Sequence, residues 1–313
     1  MKNYGFTIVV PVARGGQHFE ECVNSVLSLE YDNYNIKILE NKSSHDTIKW
    51  LHQTYTKKLE LYPSKEKLTA EKNWARALEL QKNEFMVFVG EDDILDANYL
   101  SVINKQINND KDASIYFAHF RYIDTSGKLI RDCRKIQERE TTAEYLAGLF
   151  SHKRDTYGTG YAYRSADYTN VGGIPQWDKL IFADDALWMT MMSRGWASTA
   201  KETCFSVRIG EHSSGAKIDL KSWISGIDLY SKLLKELANS NHETRAAYDK
   251  YSADYFYGWI GSFISIIAKQ ESKEYELTFQ NTVFALNALR KHCPRKIKKV
   301  IKEFPWLKLL SLK

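Results

Sequence analysis

The apolar positions in the first third of the chain switch between two periods. "FTIVVPV" (residues 6–12) is a continuous β-branched run, the pattern of a strand covered on both faces. "HFEECVNSVLSLE" then sets Phe19, Cys22, Val23, Val26 and Leu27 at helical spacing. "YNIKILE" (residues 34–40) predicts a second strand and "HDTIKWLHQTYTKK" a second helix. "KLELYP", "TAEKNWARALELQ" and "EFMVFVG" continue the alternation as strand, helix and strand. Such alternation implies a mostly parallel sheet with right-handed crossovers, and sheets of this kind bind ligands at the carboxyl ends of their strands.

Past Leu100 the signals mix. "ASIYFAHFRYID" and "GKLIRDCR" predict strands around the turn "DTSG", and "YGTGYAYR" predicts another. "FADDALWMTMMSRG" predicts a helix that opens on acids and closes at Gly195. From about Asp219 nearly everything has a helical pattern rich in Tyr, Trp and Leu. With no repeat and no clear linker, this region is expected to pack against the α/β part, which divides the chain into residues 1–217 and 218–313. Its aromatic stretch "YDKYSADYFYGWIGSF" is expected to be core, or a contact between copies in a homo-oligomer, rather than a sugar platform.

Composition narrows the classes. With 313 residues, 43% of them hydrophobic, the chain can build a full core. A net charge of +5 without a concentrated basic face predicts no nucleic-acid partner. Cys22, Cys133, Cys204 and Cys293 form no CxxC pair, so neither a disulfide framework nor a zinc site is expected, and a reducing cytosol is the simpler setting. The apolar N-terminal run is too short for a signal peptide's core, and no later segment has the length of a membrane span.

Candidate chemistry gathers where strands end. In "FMVFVGEDDIL" the fourth strand runs into Glu91, Asp92 and Asp93, at the edge where a ligand would bind. Mg²⁺ or Mn²⁺ would suit such hard oxygen ligands, with phosphates completing the shell. The alternative is that these acids, with Asp96, cap a helix beginning near Leu95. Glu40 ends the second strand, where it could accept from a pyrimidine N–H, whereas Ser43, Ser44 and Asp46 have the character of turn and N-cap residues. "ARGG" is not GxGxxG, which leaves a nicotinamide or flavin site little support. Asp184 and Asp185 open a helix, where acids are electrostatically welcome, and one of them in a partly dry cleft could act as general base. His212 sits in the Gly/Ser segment "VRIGEHSSG", where it is either an ordinary surface histidine or a metal or diphosphate contact.

Taken together and in order, these stretches resemble the family 2 glycosyltransferases of the GT-A fold. The resemblance rests on the opening strand, helix and acid-ending second strand, on the Asn-Trp-x-Arg-Ala-Leu helix "NWARAL", on "FVGEDDIL" as an Asp-x-Asp strand end, on "ADDALWMTMMSRG" as the Glu-Asp helix start, and on the His-Ser segment. It implies an α/β fold with a C-terminal helical region. It puts Glu40 against the nucleotide base, Glu91 at the ribose and Asp93 on the metal. Pro11, Ala13, Arg14, Asn73 and Asp92 fall on the nucleotide side. Asp185 falls at the catalytic base with Asp184 beside it, and His212 at the metal or diphosphate. The implied activity is inverting, Mn²⁺- or Mg²⁺-dependent transfer from a nucleotide-sugar donor, UDP-linked first, to a glycan or lipid-linked glycan acceptor in surface-polysaccharide synthesis. Glu40, Lys42 and Glu91 depart from the usual Asp, Gly and Asp.

Two other readings stay open. A nucleotidyltransferase would want a Gly-rich, basic triphosphate loop that "ARGG" supplies poorly, and a non-catalytic nucleotide- or glycan-binding module would not need both acidic sites. The tail crowds Arg290, Lys291, Arg295, Lys296, Lys298, Lys299 and Lys302 before Phe304, Trp306, Leu307, Leu309, Leu310 and Leu312. That composition suits either the inner face of an anionic membrane or an ordinary terminal helix with a solvated basic face. A cytoplasmic location, with peripheral contact to the membrane, is the expectation.

Overall fold

The computed structural model describes residues 1–54, 57–210, 220–269 and 275–303. Its first part alternates as the pattern predicts: β1 (Phe6–Val12), α1 (Gln17–Leu27), β2 (Tyr34–Glu40), α2 (His45–Thr54), β3 (Leu59–Pro63), α3 (Ala70–Ala75) and β4 (Phe85–Phe88). Every residue of β1 is buried, as a β-branched run without polar alternation requires. β1 pairs in parallel with β2 and β4, and β2 with β3. The register aligns Val12 with Glu40 and Glu40 with Pro63, so these strands end along one edge.

The middle of the chain completes the sheet. It contains β5 (Ile94–Leu95), α4 (Tyr99–Asn109), β6 (Ile115–Ile123), β7 (Leu129–Asp132), β8 (Arg139–Thr141), α5 (Thr142–Phe150), β9 (Ala162–Arg164), α6 (Ser165–Asn170), α7 (Ala183–Met192) and β10 (Trp196–Arg208). The strand order is β3-β2-β1-β4-β9-β6-β10-β5, with β7 beside β6 and β8 beside β10. β9 runs antiparallel between β4 and β6, and β5 antiparallel to β10. The alternative role for the acidic triplet does not hold. Residues 94–95 are a strand, and α4 starts only at Tyr99, after Asn98. Asp96 instead pairs with Arg121.

The helical region comprises α8 (Leu220–Ser240), α9 (His242–Lys269), α10 (Tyr275–His292) and α11 (Ile297–Glu303). It packs on the α/β part through aromatic faces. Phe150 of α5 stacks on Tyr255 of α9 with centroids 4.0 Å apart, and Phe182 stacks on Tyr230 of α8 at 5.2 Å. Among the described residues no helix is long and apolar enough to cross a membrane. Lys298, Lys299 and Lys302 are exposed. The apolar end of the tail, from Phe304 onward, and the expected division at 217/218 lie outside the described residues.

Candidate functional site

A cleft of about 600 Å³ opens at the carboxyl edge of the sheet, between the strand-end loops, the start of α7, and α8 and α9. On one side Pro11 sits near the end of β1 with Arg14 just after it, and Gly90 to Asp93 follow β4. The two loops are tied by one carboxylate. Glu91 Oε2 accepts from the backbone N–H groups of Ala13 and Arg14 at 3.0 Å and of Gly15 at 3.2 Å. Arg14 Nε donates to Glu91 Oε1 at 2.8 Å, and Arg14 Nη2 donates to Asp92 Oδ2 at 3.0 Å. Gly15 is obligatory in this turn, because it has φ +73° and a Cβ there would lie 2.1 Å from Thr47 Oγ1. Lys67 Nζ donates to the carbonyls of Ala13 and Asn41, which holds the loops after β1 and β2 together.

The triplet divides by direction. Asp93 is 1% exposed and both its oxygens are engaged: Oδ1 accepts from the backbone N–H of Arg208 at 3.0 Å, and Oδ2 accepts from the Thr159 hydroxyl. Burial, then the charge of Asp92, pushes its carboxyl up to about 7. Asp93, the expected metal ligand, also lines the cleft, and its two hydrogen bonds tie the loop after β4 to β10 and to Thr159. Asp92 is the acid that stays open, with its side chain 26% exposed at the cleft. Glu91 lines the cleft, but its carboxylate is turned toward the loop after β1.

Two further residues are struts rather than cleft walls. Glu40 is buried and accepts from the N–H and hydroxyl of Ser43 at 2.6 and 2.8 Å. Asn73 is buried, donates to the Leu39 carbonyl at 3.0 Å and accepts from Arg76, which also donates to the carbonyls of Glu40 and Tyr62. The "NWAR" motif thus clasps the ends of β2 and β3, and neither Glu40 nor Asn73 lines the cleft. His212 lies outside the described residues.

The other acidic pair opens α7 after Phe182, which sits at φ 58°. Asp184 Oδ1 accepts from the backbone N–H of Asp185 at 2.9 Å, closing the helix start on itself. Asp185 is 7% exposed, lines the cleft, and its Oδ1 has no hydrogen-bond partner among the described residues. Burial, then the charge of Asp184, raises its carboxyl well above the ordinary 3.8. Between the two pairs lies Tyr157, whose hydroxyl is pushed up first by burial and then by the charges of Asp93, Asp92 and Asp184.

The segment "RDTYGTG" was not legible as a site, yet it forms the cleft floor. Arg154, 4% exposed, donates from Nε to Glu140 at 2.9 Å and from Nη1 to Asp155 O at 2.7 Å and Tyr161 Oη at 3.1 Å. Its guanidinium lies 3.8 Å over the Tyr145 ring, and its Nη2 has no partner among the described residues. Asp155 is held by Arg131 and Arg134; burial pushes its carboxyl up, but those two cations outweigh it and the net shift is downward. Tyr255 and Trp259, expected as core or copy contacts, also line the cleft, with Trp223 beside them.

Could these residues hold a divalent metal? Among the described residues no three or more His, Cys, Asp and Glu side chains gather around one point. Of the three acids after β4, all of which line the cleft, Asp92 is the most exposed, and the Arg14 guanidinium beside it already places a cation there. That suits a metal whose remaining ligands are diphosphate oxygens and water.

Comparisons with known proteins bear on the family and the fold. The family model described as Glycosyl transferase family 2 matches residues 7–170, over half of the chain; Asp184, Asp185 and the helical region lie beyond it. No curated protein matches in sequence at a significant level. Among solved structures, S. aureus TarS 1-349 in complex with UDP superposes with a TM-score of 0.69 at 13% identity, over 91% of this chain and 81% of that one. The same protein in complex with UDP-GlcNAc gives 0.68 at 14% identity, over 91% and 81%. Mannosyltransferase PcManGT from Pyrobaculum calidifontis, in complex with GDP-Man and Mn²⁺, gives 0.55 at 13% identity, over 93% and 87%. At such identities the likeness is one of fold, and the fold is GT-A.

Proposed function

Because the chain belongs to glycosyl transferase family 2, we propose that its cleft moves a sugar from a nucleotide diphosphate, UDP first, to a hydroxyl of a glycan or lipid-linked glycan. The observation that carries this reading is that one cleft holds an outward acid at the end of β4 and a buried, half-unpartnered acid at the start of α7. In this assignment Asp92 faces the donor diphosphate and Asp185 faces the acceptor. Pro11 at the end of β1 and Arg14 on the loop set by Glu91 border the nucleotide. Asp92, with phosphate oxygens, would hold Mn²⁺ or Mg²⁺, which supplies positive charge to the departing diphosphate.

The chemistry then falls to Asp185. Burial and the charge of Asp184 raise its proton affinity, which suits a general base, and its unpartnered oxygen is available to an incoming hydroxyl. As the acceptor oxygen bonds to the anomeric carbon, its proton passes to Asp185 and the bond to the diphosphate breaks. Attack from the face opposite the leaving group inverts the anomeric configuration, so one base suffices. Arg14 lies where negative charge accumulates on departure, and its guanidinium is held in place by Glu91 and Asp92. The role in surface-polysaccharide synthesis at the cytoplasmic membrane face belongs to the same proposal, supported by the exposed lysines of α11.

Thermal shift with UDP-, GDP- and dTDP-sugars, with and without Mn²⁺, tests the reading. A UDP-sugar is expected to raise the melting temperature, more so with Mn²⁺. No shift with any of the three nucleotides would contradict it.

A further inference from the structure

Arg154 is a buried charge whose bonds hold it in one place. Its backbone N–H donates to the Gly148 carbonyl of α5 at 3.1 Å. Gly148 also leaves room for it, since a Cβ there would lie 3.1 Å from the Arg154 Cβ. Nε is spent on the buried carboxylate of Glu140, and Nη1 on the Asp155 carbonyl and the Tyr161 hydroxyl, while the guanidinium lies over the Tyr145 ring. Nη2 is left over, and the residue lines the same cavity as Asp185. A buried ion pair such as Arg154–Glu140 contributes little net stability, because the cost of desolvating two charges offsets most of their attraction. Its place against the cleft points instead to the electrostatics of the site.

We propose that Arg154 is a positioning residue for the transfer step. It is a cation held short of Asp185, and it keeps that carboxylate charged without occupying the oxygen that takes the proton. The inference rests on the transferase reading and adds to it the group that sets the base. Asp185 Oδ1 meets no donor among the described residues, so the guanidinium does not close onto it. Its anchor on Glu140 accounts for the gap. A direct ion pair would use the lone pair that the incoming proton needs, whereas a charge acting across a gap leaves it open. The titratable groups that face Asp185 are Asp184 on α7 itself, Arg154, and the hydroxyls of Tyr145 on α5, Tyr230 on α8 and Tyr255 on α9. Burial pushes all three hydroxyls well above their ordinary 10, so they carry no charge near neutral pH. Burial and Asp184 both favour the protonated form of Asp185, and of these groups Arg154 opposes them. An arginine stays charged throughout, which suits it to that role.

NMR of the full chain labelled at its aspartate carboxyl carbons reads the titration of Asp185 directly, its signal being the one that Asp185→Asn removes. In Arg154→Gln the midpoint is expected to rise by at least about one pH unit, a tenfold gain in proton affinity. Arg154→Lys keeps the charge and is expected to move it by less than about half as much. A purely structural role would lower the melting temperature and leave the midpoint in place, so an unmoved midpoint in folded Arg154→Gln would overturn the inference. Should that variant fail to fold, Glu140→Gln decides. With the counter-charge of Glu140 removed, Arg154 acts more strongly on Asp185 and the midpoint is expected to fall; no change, or a rise, would overturn the inference equally. UDP binding to the wild type with Mn²⁺, measured alongside, upholds or sinks the transferase reading independently of where Asp185 titrates.

Discussion

Asp92–Asp93 and Asp184–Asp185 are both consecutive aspartates, one pair closing the turn after β4 and the other opening α7, and each pair sends its second carboxylate inward. The two buried members differ in what meets them. Asp93 has a partner on each oxygen and spends its hydrogen-bonding capacity on Thr159 and the Arg208 amide. Asp185 keeps an oxygen with no partner among the described residues. Burial raises the proton affinity of both, so proton affinity alone does not separate them. Satisfaction does: a buried acid with a donor on each oxygen is held as a fastener, and one with an oxygen that meets no donor is available to a ligand.

The difference is broken most visibly at Asp185. Asp185→Asn keeps the shape and removes the base, so transfer is expected to fall by about 10²–10⁴-fold in a product-release assay. The same change at a fastener would act on stability instead. Asp93→Ala leaves the Arg208 amide and the Thr159 hydroxyl unmatched, and urea unfolding should show a loss of about 2–4 kcal/mol.

Acidity sharpens the contrast. Transfer is expected to fall about tenfold per pH unit below the raised value of Asp185, a limb that Asp185→Asn abolishes in a pH–rate profile. The stability effect has a definite sign. Because the folded-state value is raised above the ordinary 3.8, the protonated form stabilises the fold; that contribution is present below the ordinary carboxylate range and is lost as pH rises through the folded value. Melting temperature against pH should therefore decline less steeply toward alkaline pH in Asp185→Asn than in the wild type.

Asp92, the outward partner of Asp93, should behave in the opposite way to it. Asp92→Ala is expected to change stability by no more than about 0.5 kcal/mol yet to weaken Mn²⁺-dependent UDP binding by about tenfold, as read by calorimetry. The smallest effect is at the tail. Lys302→Ala should weaken sedimentation with anionic liposomes about fivefold, for roughly 1 kcal/mol per lysine at a charged surface; unchanged sedimentation would remove the membrane contact.

What the sequence revealed followed the strength of its patterns. β1 was legible to the residue because an unbroken β-branched run has few other solutions, and β2 because "YNIKILE" alternates along its length. β10 was not: "WASTAKETCFSVR" buries Ser198, Thr199 and Ser206 and offers neither aliphatic alternation nor a clear turn, since its burial comes from its neighbours β6, β5 and β8. The acidic triplet was legible as lying at the sheet's ligand-binding edge but not in the direction each carboxylate takes. Which of three adjacent carboxylates turns inward is decided by the Arg208 amide, 115 residues away in the chain. Glu40 and Asn73 fell in the right motifs, yet their roles are set by hydrogen bonds to Ser43, Leu39 and Arg76. Arg154 carried no signal, because its place depends on Glu140 and Tyr161 meeting it from separate elements. The aromatic residues of α9 were visible as a stretch, but only packing shows that Tyr255 and Trp259 reach the cleft.

The most direct test puts both halves of the cleft on one sample: UDP affinity with Mn²⁺ and sugar transfer, each measured on Asp185→Asn beside the wild type. UDP bound as tightly as in the wild type, with transfer lost, is the predicted result. Undiminished transfer, or loss of UDP binding in a variant that still melts like the wild type, would contradict it.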